Sequence, residues 1–271
     1  MAPQFVKPYV KTNKCDAADA EGICEAVSRP SMRFVGIKSV NQQMLLALHR
    51  ARQGFVKART AQVNQIRGLL SEFGIVMSQG IRCVFRELPP ILEQIEQTLP
   101  TSFCLLLRRL KKNLDYLDQQ VDELESEIKQ SHRQSEACRR IAEIPGIGPI
   151  TASAIVASIG DAREFKSGRQ LAAWLGLVPR QHSSGGKAML LGISKRGDCY
   201  LRTLLIHGAR AVIRATQNKL HASQSWLLRL IERRSKNVAS VALANKNARI
   251  IWALLVNDRI YESGYSLIAG Q

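Results

Sequence analysis

Between Ser102 and Ser135 the chain carries Leu107, Leu110, Leu114, Leu117, Val121, Leu124 and Ile128, apolar residues spaced three and four apart. That spacing puts them on one stripe of a helix. Asp115, Asp118, Asp122, Glu123 and Glu125 lie beside the stripe, so the remaining surface is wet. A stripe this long must be covered by another helix, and the segment reads as a coiled coil. Its partner is either elsewhere in the same chain or in a second copy. This one feature commits the middle of the molecule to long helices.

A second proline-free helical pattern runs from Val40 to Phe73, with Leu45, Leu48, Phe55, Val63, Ile66, Leu69 and Leu70 spaced more loosely. Gly74 follows as a C-cap. Met77 to Pro90 holds Gly80, Pro89 and Pro90 and reads as a linker. At the start, Phe5-Val-Lys-Pro-Tyr-Val10 reads as a short extended piece. A helix follows, with Thr12 or Asn13 as N-cap and Asp16, Asp19 and Glu21 where the dipole favours acids. One strand cannot bury a face. Either the start is ragged or the chain begins in the middle of a domain.

From Cys138 onward the pattern changes to short helices punctuated by glycine. Gly186 to Ile193 reads as a short hairpin, and Tyr200 to Thr216 and Val238 to Val256 as helices. Trp174, Trp226 and Trp252 sit in apolar helical patterns and read as core.

Charge narrows the partner. The 271 residues carry a net +17. Residues 161–271 hold 18 Lys and Arg against 6 Asp and Glu, so most of the surplus is C-terminal. A surplus of that size repels itself and points to a polyanion, nucleic acid before an anionic membrane. No apolar run reaches the roughly 18 residues of a membrane span. The six cysteines lie far apart without a CxxC pair, which argues against zinc and against a disulfide framework and fits a reducing cytoplasm.

Three motifs carry chemistry. Pro179-Arg-Gln-His-Ser-Ser-Gly-Gly-Lys187 places Ser183 and Ser184 on a glycine hinge, with Lys187, Lys195, Arg196 and Arg202 following in sequence. Cations can hold a phosphodiester beside a serine hydroxyl and help it act as a nucleophile. His182 is a candidate general base. A plain solvated turn is the alternative, because Ser-Gly turns are common. Pro145-Gly-Ile-Gly148 between two helices has the form of a helix–hairpin–helix turn, in which Gly146 and Gly148 would open free amides to a backbone phosphate. Asp16 and Asp19, at i and i+3 on a helix, face one side and can share Mg²⁺. Acids placed there for the helix dipole alone would look the same.

In one order the chain shows Lys11-Thr-Asn-Lys-Cys-Asp-Ala-Ala-Asp-Ala20, then Ile144-Pro-Gly-Ile-Gly-Pro149. Gly176-Leu-Val-Pro, Ser183-Ser-Gly-Gly, Ile193-Ser-Lys-Arg-Gly and Leu201-Arg202 follow. Over essentially its whole length it resembles the insertion-sequence 110 family of transposases, most of all the insertion-sequence 1111 subgroup. The resemblance implies an RNase H-like domain with a DEDD acidic tetrad, a coiled coil, and a C-terminal domain with a serine nucleophile. It implies DNA cutting and rejoining, Mg²⁺, oligomers and a structured guide RNA. Ser184 matches the family serine, with Ser183 beside it. The last two acids fall in the segment of Asp16 and Asp19, where many relatives carry Asp in place of Asn13. Either Asn13 is the altered third position and Asp16 the fourth, or Asp16 and Asp19 are the pair. The first two acids should lie upstream of Phe5, so the resemblance implies a chain truncated at its N-terminus.

The expected fold is mainly α. It joins the C-terminal remnant of an RNase H-like α/β domain (residues 1–75), a linker and coiled-coil helix (76–137), and a helical C-terminal domain with a helix–hairpin–helix and short β-hairpin (138–271). Three functions compete: a transposase-type recombinase, unable to cut alone; a non-catalytic nucleic-acid-binding remnant; and an unrelated helix–hairpin–helix repair or structural factor. The Ser183-Ser-Gly motif argues against the third.

Overall fold

The computed structural model describes residues 3–10, 15–30, 32, 34, 36–184, 187–217 and 226–262. Among them the chain is mainly helical, with a single two-stranded sheet. It divides into two compact units, Met1–Val40 and Asn41–Gln271.

The first unit holds a short helix α1 (Pro3–Val6), a 3-10 turn (Lys7–Tyr9) and helix α2 (Asp16–Val27). The extended piece expected at Phe5–Val10 is instead helical. A lone strand leaves its backbone unpaired, whereas one turn bonds itself; Val10 N donates to Lys7 O at 3.2 Å. Thr12 and Asn13, expected as N-cap, lie outside the described residues. α2 begins at Asp16, after Cys15, which makes no side-chain cap. Gly22 is buried under Val10, whose Cγ2 would lie 2.9 Å from an added Cβ.

In the second unit, helix α3 (Val40–Ser71) and helix α5 (Thr101–Gln134) match the two long patterns in the sequence. They run antiparallel. Arg52 meets Glu125 at 2.5 Å, Arg59 pairs with Asp118, and Asn113 Nδ2 donates to Gln62 at 2.7 Å. Each step forward on α3 is a step back on α5. The partner of the α5 stripe is thus in the same chain. Leu107, Leu114, Leu117, Val121 and Ile128 are buried, and Leu110 and Leu124 are half-buried.

Much of the stretch Met77 to Pro90, expected to be linker, lies instead in helix α4 (Ile81–Ile95), with Pro89 and Pro90 inside it. Each internal proline removes a bond and costs about 3 kcal/mol. Val84, Leu88, Leu92 and Ile95 recur on one face and are all buried. At about 2 kcal/mol per buried aliphatic side chain, they offset both prolines. They join Val63, Ile66, Leu70, Cys104, Leu107 and Leu114 in one hydrophobic core.

A second core begins at Cys138. Helices α6 (Glu136–Ala142) and α7 (Pro149–Ile159) form a hairpin, followed by α8 (Gly168–Trp174). Strands β1 (Pro179–Ser184) and β2 (Lys187–Ile193) pair antiparallel. Helices α9 (Cys199–Gln217), α10 (Trp226–Arg233) and α11 (Lys236–Asn257) complete it. α11 runs through the middle and buries Ala239, Leu243, Ala244, Ala248, Ile251 and Leu254. α8 approaches it closely: at Gly168 an added Cβ would meet Arg249 Cα at 2.9 Å. Two of the tryptophans depart from the expected core, while Trp252 packs against it. Trp174 is 37% exposed and edge-on to Phe165, and Trp226 is 40% exposed. Trp252 is half-buried and donates its indole N–H to Ala162 O and Phe165 O. None of the helices among the described residues is long and apolar enough to cross a membrane.

Candidate nucleic-acid interface

The motif glycines act first on the backbone. Gly176 has φ +71°, and an added Cβ would stand 2.0 Å from Arg196 O. Gly197 has φ +88°, and a Cβ there would stand 1.9 Å from Trp174 O. Positive φ and this closeness both demand glycine. Two separate stretches, 174–178 and 194–197, are thereby pressed together. Lys195 N donates to Gly176 O at 3.2 Å and Ser194 N to Val178 O at 2.8 Å. Arg202, 8% exposed, donates Nη1 to Leu175 O and Arg196 O at 3.1 and 3.3 Å. Asp198 caps α9, accepting from Tyr200 N and Leu201 N at 2.7 and 3.0 Å.

This clamp sets the cations apart by role. Lys195, itself at φ +54°, and Arg196 are exposed on the clamped loop. Arg202 faces inward and braces that loop, so its Nη1 is committed to carbonyls rather than turned to a phosphate. The hairpin then separates the serines from the loop. Pro179 pairs with Ile193 at its base and Ser184 with Lys187 at its far end. At about 3.3 Å per residue, Ser184 stands roughly 17 Å along the strand from the base. Lys187 shares the far end with Ser183 and Ser184, while Lys195 and Arg196 follow the base. Gly185 and Gly186 lie outside the described residues, as do the side chains of Ser183, Ser184 and Lys187. His182 is exposed, opposite Met189.

The Pro145-Gly-Ile-Gly148 turn joins α6 to α7 as the sequence implied. Gly146 has φ +89°, and Gly208 of α9 lies so close that a Cβ on Gly208 would sit 1.9 Å from Gly146 O. Asn247 of α11 donates Nδ2 to Pro145 O at 3.0 Å. Gly148 is different: its φ is −88° and nothing lies within 4 Å of an added Cβ. Gly148 and Pro149 are exposed, so the N-terminus of α7 opens to solvent with its positive dipole end. Gly208 was legible in principle, since an isolated glycine inside a helical pattern signals close packing.

His49 had no local signal. It is buried in α3 and reaches α7 and α9. Ser153 Oγ donates to Pro149 O at 2.8 Å, so His49 Nε2–H donates to Ser153 Oγ at 3.0 Å and Tyr200 O–H donates to His49 Nδ1 at 3.0 Å. Burial, then nearby Arg52, pushes the imidazole pKa down to about 4. Burial raises that of the Tyr200 phenol. The neutral ring ties α3 to the first turn of α7 and to the start of α9.

Asp16 and Asp19 both stand in the first turn of α2, Asp16 exposed and Asp19 half-exposed. Among the described residues no three His, Cys, Asp or Glu side chains come together as a metal site. The six cysteines are free thiols.

The region after Cys138 thus brings together a glycine-clamped basic loop, a serine-bearing hairpin and an open helix N-terminus. Comparison with known proteins makes the class specific. Residues 138–224 match the family described as transposase IS116/IS110/IS902, and residues 1–75 match a transposase model of DEDD type for the IS110 group. The chain is 54% identical to a probable family 20 transposase of Pseudomonas aeruginosa over 97% of its own length and 78% of that protein. It is 51% identical to the transposase for insertion sequence element IS1111A of Coxiella burnetii, over 97% and 72%. Likeness to the transposase for insertion sequence element IS1328 of Yersinia enterocolitica is 43%, over 96% and 77%. The chain belongs to the IS110 family of insertion-sequence transposases.

Proposed function

We propose that this transposase cuts and rejoins DNA through Ser184, or its neighbour Ser183, carried at the end of the β1–β2 hairpin. In this reading the serine oxygen bonds to phosphorus, the bond to one flanking sugar oxygen breaks, and that oxygen leaves with a proton. His182, beside Ser183 on the same strand, is a candidate to take the hydroxyl proton. Lys195, Arg196 and the open end of α7 hold the phosphate backbone without reading sequence. The carrying observation is the clamp of Gly176 and Gly197, which turns Lys195 and Arg196 outward at the base of the serine hairpin.

Asp16 and Asp19 are the candidate ligands for Mg²⁺, two carboxylates from one helical turn with water completing the shell. An ion bound there would supply charge stabilisation for phosphoryl chemistry. Two carboxylates alone hold such an ion weakly, so cleavage is expected to need further oxygen ligands beside Asp16 and Asp19. A helical RNase H-like portion, the helix–hairpin–helix role of residues 145–148, a guide RNA, oligomeric assembly and a cytoplasmic site of action belong to the same proposal, carried by family membership.

Binding tests the first half. About six phosphate contacts give a log–log salt slope near −5 on duplex DNA. Lys195→Ala and Arg196→Ala should each flatten it by roughly one unit, whereas Arg202→Ala should chiefly lower the melting temperature. A slope near zero in the unaltered chain would remove the reading. For cleavage, element ends, the element's RNA and Mg²⁺ are supplied. Cutting that survives Ser184→Ala and Ser183→Ala together would show that the nucleophile lies elsewhere.

A further inference from the structure

Resting on the nucleic-acid reading above, we infer that α10 and α11 form a second binding site, which takes an unpaired strand by stacking a base on Trp226. α10 is two-faced. Leu227 is buried, and Leu230 and Ile231 pack against the second core. Trp226, Arg229 and Arg233, at i, i+3 and i+7, occupy the opposite, exposed face. They line a cleft of about 510 Å³ together with Glu232. Lys246 of α11 holds its ammonium 4.9 Å from the centre of the Trp226 ring.

Three features point to this occupant. An indole that is 40% exposed beside buried Leu227, on a helix whose Leu230 and Ile231 pack on the core, has been left out of that core. The cations around it, Arg229, Arg233 and Lys246, outnumber the single acid Glu232, so the cleft is complementary to a polyanion. Finally, the aromatic and the cations are interleaved. A flat ring beside guanidinium groups one turn apart suits a base stacked on the ring and its phosphates on the arginines. Duplex DNA keeps its bases stacked inside and gains only from the charges. The site therefore discriminates by strandedness, unlike the Lys195–Arg196 loop, which meets phosphates of any strand.

Strand preference tests the inference. The full chain, Trp226→Leu, Trp226→Phe and the Arg229→Gln/Arg233→Gln double variant are titrated onto a fluorescein-labelled oligothymidine of about 20 nucleotides, long enough for an ordinary single-strand site. The same proteins are titrated onto a duplex of equal length, and each variant's melting is recorded. Trp226→Leu should weaken oligothymidine binding about tenfold, one stacked base's worth, and leave duplex binding unchanged. Trp226→Phe should retain most of the affinity because a ring remains. The double arginine variant should weaken both probes. Oligothymidine binding unchanged in Trp226→Leu, or lost equally with duplex binding, overturns the inference. If Trp226→Leu does not fold, Trp226→Phe decides: a loss as deep as that of the double arginine variant on both probes rejects stacking. Wild-type protein that binds neither probe ends the nucleic-acid reading itself. Duplex binding that depends on Lys195 and Arg196 while Trp226→Leu changes nothing ends only this one.

Discussion

The α3–α5 pair and the region after Cys138 are both helical, yet they are held by different means. The long pair is a side-chain structure. Its stripe of Leu107, Leu114, Leu117, Val121 and Ile128 repeats along one helix, and Arg52–Glu125 and Arg59–Asp118 mark the register beside it. The C-terminal region has its own side-chain core around α11, and adds to it places where backbone is pressed on backbone, at Gly176 and Gly197 against carbonyls and at Gly146 against Gly208. A side-chain seam spreads its stability over many contacts and tolerates local change. A glycine clamp concentrates it at a few positions where no other residue fits. Lys195 and Arg196, two of the cations proposed for DNA contact, stand on the clamped loop.

The largest effect should come from forcing a charge into the seam. Leu114 is fully buried. Leu114→Glu loses its burial and strands a carboxylate, at about 4 kcal/mol or more, read as a fall in denaturant midpoint. A loss below about 1 kcal/mol would mean that the α3–α5 pair carries little of the stability. Gly197→Ala should follow closely, at about 3 kcal/mol, since the methyl group meets Trp174 O in a backbone conformation alanine disfavours. It should also abolish the dependence of DNA binding on Lys195 and Arg196. Gly148→Ala, with open space and φ −88°, should be nearly silent and so separates a clamp glycine from an accessory one.

His49 joins the two regions, and pH tests that junction. Its folded pKa, about 4, lies below the 6.5 of the free side chain. The unfolded chain therefore takes up the proton first. The contribution is fully present above pH 6.5 and is lost as pH falls toward 4, by about 3 kcal/mol in all. His49→Gln should be less stable at neutral pH and should lack this fall between pH 6.5 and 4. A wild-type melting curve flat across that window would contradict the buried neutral imidazole.

The smallest effect runs in the other direction. Pro90 is exposed inside α4 and withholds a bond from Arg86 O. Pro90→Ala should stabilise by roughly 1–2 kcal/mol. Destabilisation would show that the proline ring, not the apolar face of α4, sets the path of the helix.

Helix boundaries were legible where the apolar period was long. Val40–Phe73 and Ser102–Ser135 were read from sequence, and the structure places Val40–Ser71 and Thr101–Gln134. The α4 helix was not legible, because two prolines in one turn outweigh a short apolar period until the burial of Val84, Leu88, Leu92 and Ile95 is known. Exposed Trp226 was misread for a similar reason: on so short a helix as α10, composition does not say which face meets the core. Sequence placed the motif cations together without separating them by burial. Lys195, Arg196 and Arg202 look alike as letters. Arg202 is turned inward only because carbonyls 175 and 196 come within reach of one guanidinium.

What the sequence by itself determined is the family, the basic C-terminal surplus and the two long helices, since composition and period are local and survive any arrangement of the parts. Tertiary structure alone decided that the α5 stripe is covered by α3 of the same chain, that Gly176 and Gly197 clamp a loop, that His49 lies buried between α7 and α9, and that the serines and the Lys195–Arg196 loop stand at opposite ends of one hairpin. Those are distances between residues far apart in the chain. They depend on which faces pack together, and no local pattern encodes that.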